Sequence, residues 1–192
     1  MNQDELNQAR TNPEFLSYLN DKEEQSKQSK DIAGLYEVLD TLLVLDLDES
    51  RIHKVYEEIL KISFDKIEDR LKDETKLSLD NDDIYFIRCF YEHAIEKWSL
   101  ENFDGAKELF FILTQIVEDE KLVDSIIIHM IACENKKDMD SFYEKDVLQS
   151  KKIEDEKYGY FIMDYNFDQK EYLTKNQKLV KEQYENLKHL LN

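Results

Sequence analysis

The chain predicts an all-α fold, a helical-repeat or irregular helical bundle of about seven to nine helices. Three observations lead there. Only 3 glycines and 1 proline punctuate 192 residues, whereas an all-β chain needs many tight turns. Apolar residues recur at spacings of three and four, the period of a helix with one buried face. Asn or Asp residues precede several of these runs, where helix N-termini need side-chain caps.

In chain order, Asn12-Pro13 opens a short helix, with Asn as cap and Pro in the first turn. Phe15, Leu16, Tyr18 and Leu19 give it an apolar face. Residues 20–30, NDKEEQSKQSK, carry no apolar side chain and are expected to form a solvated linker. Residues 1–30 are therefore expected to be an N-terminal arm, and 31–192 an all-α domain. Asp31 caps the next helix, whose stripe is Ile32, Leu35, Tyr36, Leu39, Leu42 and Leu43. LDLDES at 45–50 stops it. Ile52, Val55, Tyr56, Ile59, Leu60 and Ile62 mark a further helix, with Phe64, Ile67 and Leu71 continuing or restarting it. Residues 72–83 read as a loop ending in a cap at Asp82 or Asp83. Helices follow at 84–99, 103–117 and 120–134; Asn135-Lys136-Lys137 breaks the last, and Phe142, Tyr143, Val147 and Leu148 mark a short one. The aromatic stretch 157–167, KYGYFIMDYNF, has no helical stripe and is expected to be a strand-like or irregular segment lying across helices. Leu173, Val180, Tyr184, Leu187 and Leu191 then mark a C-terminal helix with a lysine-rich polar face.

Size and charge narrow the function classes. At 192 residues the chain is one domain, with or without a tail. The 44 acidic residues against 26 basic ones leave a net charge of −18, which repels a phosphate backbone and an anionic membrane surface. Nucleic-acid binding is not expected. No apolar run approaches the roughly 18–20 residues of a membrane span, and the first residues, MNQDELNQARTN, hold no apolar signal core. A cytoplasmic protein without membrane insertion is expected, with Cys89 and Cys133 as reduced core residues. The acidity suits a basic or amphipathic protein partner.

The most informative stretch is 84–117, two amphipathic helices joined at Glu101-Asn102, with Ala94 and Ala106 placed for a close crossing. Phe90, Ala94, Trp98, Phe103, Ala106 and Phe110 together resemble a tetratricopeptide repeat. His93 stands where that pattern has leucine, Trp98 comes one residue late, Leu113 replaces a small residue, and no proline closes the second helix. A fainter second copy spans 120–148, where Met139-Asp140 echoes Phe103-Asp104. Within that superfamily, the repeat-like core 84–148 is similar to the small acidic chaperones of type III secretion that hold hydrophobic translocator proteins. The resemblance implies a concave face built from the first helix of each pair. Arg88, Tyr91, Ile95, Trp98, Ile127 and Ile131 would line it and hold a partner's peptide or helix. The alternative is that the same side chains are core beneath other helices. The function expected is a non-enzymatic chaperone or adaptor for an apolar or amphipathic segment of a partner, such as a secretion substrate; a homodimer is also allowed. The alternatives are a subunit of a secretion or motility assembly, or an acidic antidote that caps a toxin.

Motifs for chemistry are thin. The glycines at 34, 105 and 159 are too far apart for a phosphate loop. Cys89 with His93, and His129 with Cys133, are two pairs at helical spacing that could in principle assemble a zinc site, but each cysteine lies in an apolar face. His53 and His189 have no such neighbour. The carboxylate pairs Glu57-Glu58 and Asp82-Asp83, the run Glu118-Asp119-Glu120, and DNDD at 80–83 read as solvated surface or caps. No catalytic residue, metal or cofactor is expected.

Overall fold

The computed structural model describes residues 3–150 and 155–191. Among them are ten α-helices: α1 (Gln3–Thr11), α2 (Pro13–Ser29), α3 (Ile32–Val44), α4 (Glu49–Lys72), α5 (Asp83–Ser99), α6 (Phe103–Ile116), α7 (Glu120–Glu134), α8 (Met139–Lys145), α9 (Gln169–Lys175) and α10 (Gln177–Leu187). Short 3-10 turns lie at Glu156–Tyr158 and Lys188–Leu191. The fold is all-α, and no strand occurs among the described residues beyond two isolated bridges. The helix number exceeds the expected range because the polar N-terminus forms α1 and because Asn176 divides the C-terminal helix in two.

The chain separates into two compact units, Met1–Lys66 and Ile67–Asn192. This division differs from the expected boundary at residue 30. The stretch 20–30 is not a linker: α2 continues through it to Ser29. Polar composition does not prevent a helix there because ion pairs and one close packing contact replace the apolar stripe. Glu23 accepts from Lys27 at 2.6 Å and from Arg51 of α4 at 2.7 Å. Burial pushes its carboxyl up, but those two cations outweigh burial and hold it below the usual range. Further along, Ser26 is buried against α3 beside Gly34. A Cβ at Gly34 would stand 2.2 Å from the Ser26 hydroxyl oxygen and 2.5 Å from the Asp31 carboxylate, so any larger residue there must push these side chains aside. Asn12 caps α2 by accepting from the amides of Glu14 and Phe15, and Asp31 caps α3 by accepting from Gly34. The Arg10 guanidinium donates to the Leu45 carbonyl, tying α1 to the end of α3. Leu19, Leu35, Val38, Leu42, Val55 and Ile59 fill the interior of this unit.

In the second unit α5, α6 and α7 pack in sequence, α8 folds back on α5, α9 lies on α7, and α10 lies on α6 and α7. Ala94 and Ala106 are both fully buried in the α5–α6 hairpin. Asn102 and Asp119 cap α6 and α7 through Gly105 and Leu122. The loop before α5 is pinned where Leu77 pairs with Val117: its amide donates to Ile116 and its carbonyl accepts from Glu118.

Helix ends in both units share one device. Lys30, Asp46, Glu74, Glu101 and Lys136 all take left-handed backbone conformations, with φ of 55°, 48°, 53°, 57° and 51°. In each case the next residue's amide reaches back over six residues, as in Asn102 to Lys97 (2.9 Å) and Lys137 to Ala132 (3.0 Å). This is the Schellman arrangement, normally built on glycine. An L side chain at such a position costs on the order of 1 kcal/mol. Glu101→Gly is therefore expected to raise stability by about 0.5–1 kcal/mol, part of the gain being offset by the freer unfolded chain. Chemical denaturation of the two proteins reads this directly, and a lower midpoint for the variant would contradict it.

Candidate functional site

The expected partner-facing residues lie on α5 and α7, and the structure buries most of them. Arg88, Tyr91, Trp98 and Ile131 expose 7%, 3%, 0% and 0% of their surfaces. As an open docking face this set is corrected to a covered one. Ile95 and Ile127 alone remain partly exposed. Ile127 borders a cleft of about 290 Å³ with Asp124, Leu173, Thr174, Gln177 and Val180.

Two different layers do the covering. Trp98 is sealed by α8 and the turn before it: its indole N–H donates to the Lys137 carbonyl at 2.7 Å, and its ring lies 4.8 Å from Phe142. Tyr91 and Arg88 are covered by the aromatic segment that follows Gly159. After a bend at Phe161, residues 162–165 run across the helices outside any helix, with alternating burial from 161 to 165 and an antiparallel bridge from Tyr165 to Val147. Phe161, Met163 and Tyr165 are 8%, 6% and 7% exposed, while Ile162 and Asp164 between them are less buried. That is the period of a strand lying on an apolar surface.

A lone extended segment must satisfy its backbone without a sheet, and here side chains of α5 and α7 contribute. The Ile162 amide donates to the Tyr91 hydroxyl at 3.0 Å. The Ile162 carbonyl accepts from the Ser125 hydroxyl and from Tyr165, the latter at 3.1 Å. One residue of extended chain thus has both backbone polar groups held by hydroxyls that the helices supply. Downstream, Gln169 donates to the Met163 carbonyl, Leu148 to Asp164, and the Asn166 amide to Asp146. Upstream, Asp119 caps α7 and also accepts from Lys157 and from the Tyr158 hydroxyl at 2.9 Å. Burial pushes the Asp119 carboxyl up, but the Leu122 amide, Tyr158 and Lys157 outweigh it and hold it low. The Arg88 guanidinium pairs with Glu92 and lies 4.2 Å over the Tyr160 ring.

Beneath the segment sits His129, fully buried and ringed by Tyr91, Trp98, Phe110, Phe142 and Tyr165 at centroid distances of 5.3–6.2 Å. Phe110 stacks on the imidazole, and the Tyr91, Trp98 and Phe142 rings stand steeply to it. Its Nε2 lies 3.3 Å from the Tyr165 hydroxyl, and Nδ1 finds no partner. A ring with one bare nitrogen fits the neutral Nε2–H tautomer, and burial lowers its pKa to about 3.

The chemistry open to these groups is limited. Burial pushes the Cys133 thiol up to about 12, which suppresses the reactive thiolate near neutrality. His93 bonds to Glu96. Among the described residues no group of three or more His, Cys, Asp and Glu side chains is gathered to hold a metal ion. Sequence reasoning placed 157–167 across the helices without singling out Phe161, Met163 or Tyr165, and it passed over Ser125. The alternation of residues 161, 163 and 165 was the signal available for those three; nothing near Ser125 marks it. No family model, curated protein or solved structure matches the chain.

Two outcomes follow from this burial. Trp98→Ala, which removes a fully enclosed indole and leaves the Lys137 carbonyl without its donor, is expected to destabilise the protein by about 3–5 kcal/mol; equilibrium denaturation measures it, and a loss below roughly 1 kcal/mol would show that the ring is not core. For His129 the folded pKa of about 3 lies below the unfolded value of 6.5. Its contribution is intact above pH 6.5 and is lost as pH falls from there toward 3, with a limiting slope of about 1.4 kcal/mol per pH unit. His129→Leu should flatten that limb relative to wild type in denaturation series between pH 7 and 4, and parallel curves would refute the assignment.

Proposed function

We propose that the chain is a non-enzymatic adaptor or chaperone that acts in the cytoplasm by holding an apolar or amphipathic segment of a partner protein. One observation carries this reading: the hydroxyls of Tyr91 and Ser125 grip the amide and carbonyl of Ile162 on a helical face that also takes alternate bulky side chains. Main-chain hydrogen bonds plus side-chain pockets are how proteins recognise extended segments. The resemblance of residues 84–148 to tetratricopeptide repeats supports the same reading. So does the excess of 44 acidic over 26 basic residues, which steers a basic or amphipathic partner and keeps a complex soluble. The absence, among the described residues, of a helix long and apolar enough to cross a membrane is consistent with it.

The test is affinity purification of the full chain, tagged and expressed at its native level, followed by reconstitution of the recovered pair from purified proteins. One dominant partner near equal stoichiometry that rebinds in isolation is the expected result. Recovery of the chain alone, or of many proteins none of which rebinds, would overturn the reading.

A further inference from the structure

We propose that residues 161–165 are an intramolecular occupant of the α5–α7 face, which a partner displaces with an extended segment of the same pattern. The partner segment is one with bulky side chains at three alternate positions, the third a tyrosine, and a residue other than proline between the first two. This rests on the protein-binding reading above and adds who binds, where, and what holds the site closed.

The contacts that seat the strap are of the kind a second chain can reproduce. At Ile162 itself, Tyr91 and Ser125 bond the backbone, and any extended residue with an N–H presents the same two groups; Ser125 also meets the Tyr165 hydroxyl and Tyr91 the Phe161 ring. Proline has no N–H to present, which sets the one exclusion in the pattern. Two of the three inward side chains, Phe161 and Met163, are large and apolar and specify shape; the third, Tyr165, adds a buried hydroxyl that meets Ser125, His129 Nε2 and the Ile162 carbonyl, so that position favours tyrosine. The outer edge is backbone as well: Leu148 donates to Asp164, Asn166 donates to Asp146, and Val147 bridges Tyr165.

The strap can also leave without dismantling the helices under it. It belongs to none of them, and between the end of α8 at Lys145 and the start of α9 at Gln169 the described chain contains a single 3-10 turn. Its flanks are tied by partly buried side-chain bonds, Tyr158 and Lys157 to Asp119 upstream and Gln169 to Met163 downstream. Departure would bare Tyr91, Ser125 and one flank of His129 to water. The exchange is therefore one occupant for another, and the vacant face is a minor species.

The experiment uses the full chain and a fluorescently labelled peptide with the sequence of residues 157–167. Phe161→Ser combined with Tyr165→Ser weakens the strap while α5, α6 and α7 keep their own residues. Binding by anisotropy is expected to be at least about tenfold tighter to the double variant than to wild type, because the competing cis occupant is weakened. The peptide carrying Ile162→Pro should not bind. A double variant that unfolds cooperatively yet takes up no peptide would overturn the proposal.

Should the double variant not fold, hydrogen exchange on the wild-type protein decides. The amides of Ile162, Asn166 and Leu148 are expected to exchange through a local opening well before those of α5–α7; exchange only with global unfolding would make the strap permanent core and refute the idea. The two levels of the reading fail separately. A reconstituted partner that protects amides only away from α5, α7 and the strap sinks this proposal and leaves the protein-binding function standing. A strap that opens and yields to peptide, in a chain that binds no partner protein, sinks the protein-binding function and with it the partner, and leaves only the displaceable strap.

Discussion

The second unit is organised around keeping one imidazole dry. His129 projects from α7 into a shell made by α5 (Tyr91, Trp98), α6 (Phe110), α8 (Phe142) and the extended segment (Tyr165). A charged histidine there would carry an unpartnered N–H among aromatic rings, so the group stays neutral and the rings must close on every side to keep water out. The α7–α8 turn is held to α5 by the Trp98 indole bond, and the extended segment is held by Tyr91 and Ser125. The hydrogen bonds in this region are few, but each removes a buried polar atom that an apolar cluster would otherwise leave unsatisfied.

Most of the helices were legible because apolar spacing and caps agree locally. Asn12, Asp31, Asn102 and Asp119 stand where they cap, and the runs behind them are helical. What was not legible depends on partners distant in sequence. The stretch 20–29 has no stripe of its own, and its helix is secured by Arg51 on α4 and by the space that Gly34 leaves for Ser26. The helix ends were harder to read for a related reason. Their left-handed residues are Lys, Asp and Glu rather than glycine, so the scarcity of glycine that argued for helices also hid where they stop.

The candidate site shows the same limit more sharply. The positions on α5 and α7 were found from their spacing, but whether they face solvent or core is not written in those helices. Tyr91 is buried because Ile162, 71 residues away, donates to it, and Trp98 because Lys137, 39 residues away, accepts from it. An aromatic stripe looks the same in a groove and in an interior until the covering chain is placed. The covering chain was visible as an aromatic segment without helical period; its alternation of 161, 163 and 165 was the half of the signal that sequence alone could have supplied.

A helical face that already contains its own extended segment sets a demanding condition on any ligand. The resident segment is tethered, so it competes at an effective concentration that a free peptide reaches only by binding better. Emptying the face exposes the apolar surface under Phe161, Met163 and Tyr165 and a flank of His129 to water, at a cost of about 25 cal/mol per Å² of apolar area, so little of the protein waits open. The apparent affinity for a partner is then its intrinsic affinity scaled by that small open fraction. Weakly matching apolar segments are rejected by this arithmetic, although the places of Phe161 and Met163 are themselves permissive about sequence. On the proposed reading, a chain that binds apolar segments would gain selectivity in this way without collecting every exposed one, and its acidic exterior would govern how fast partners arrive.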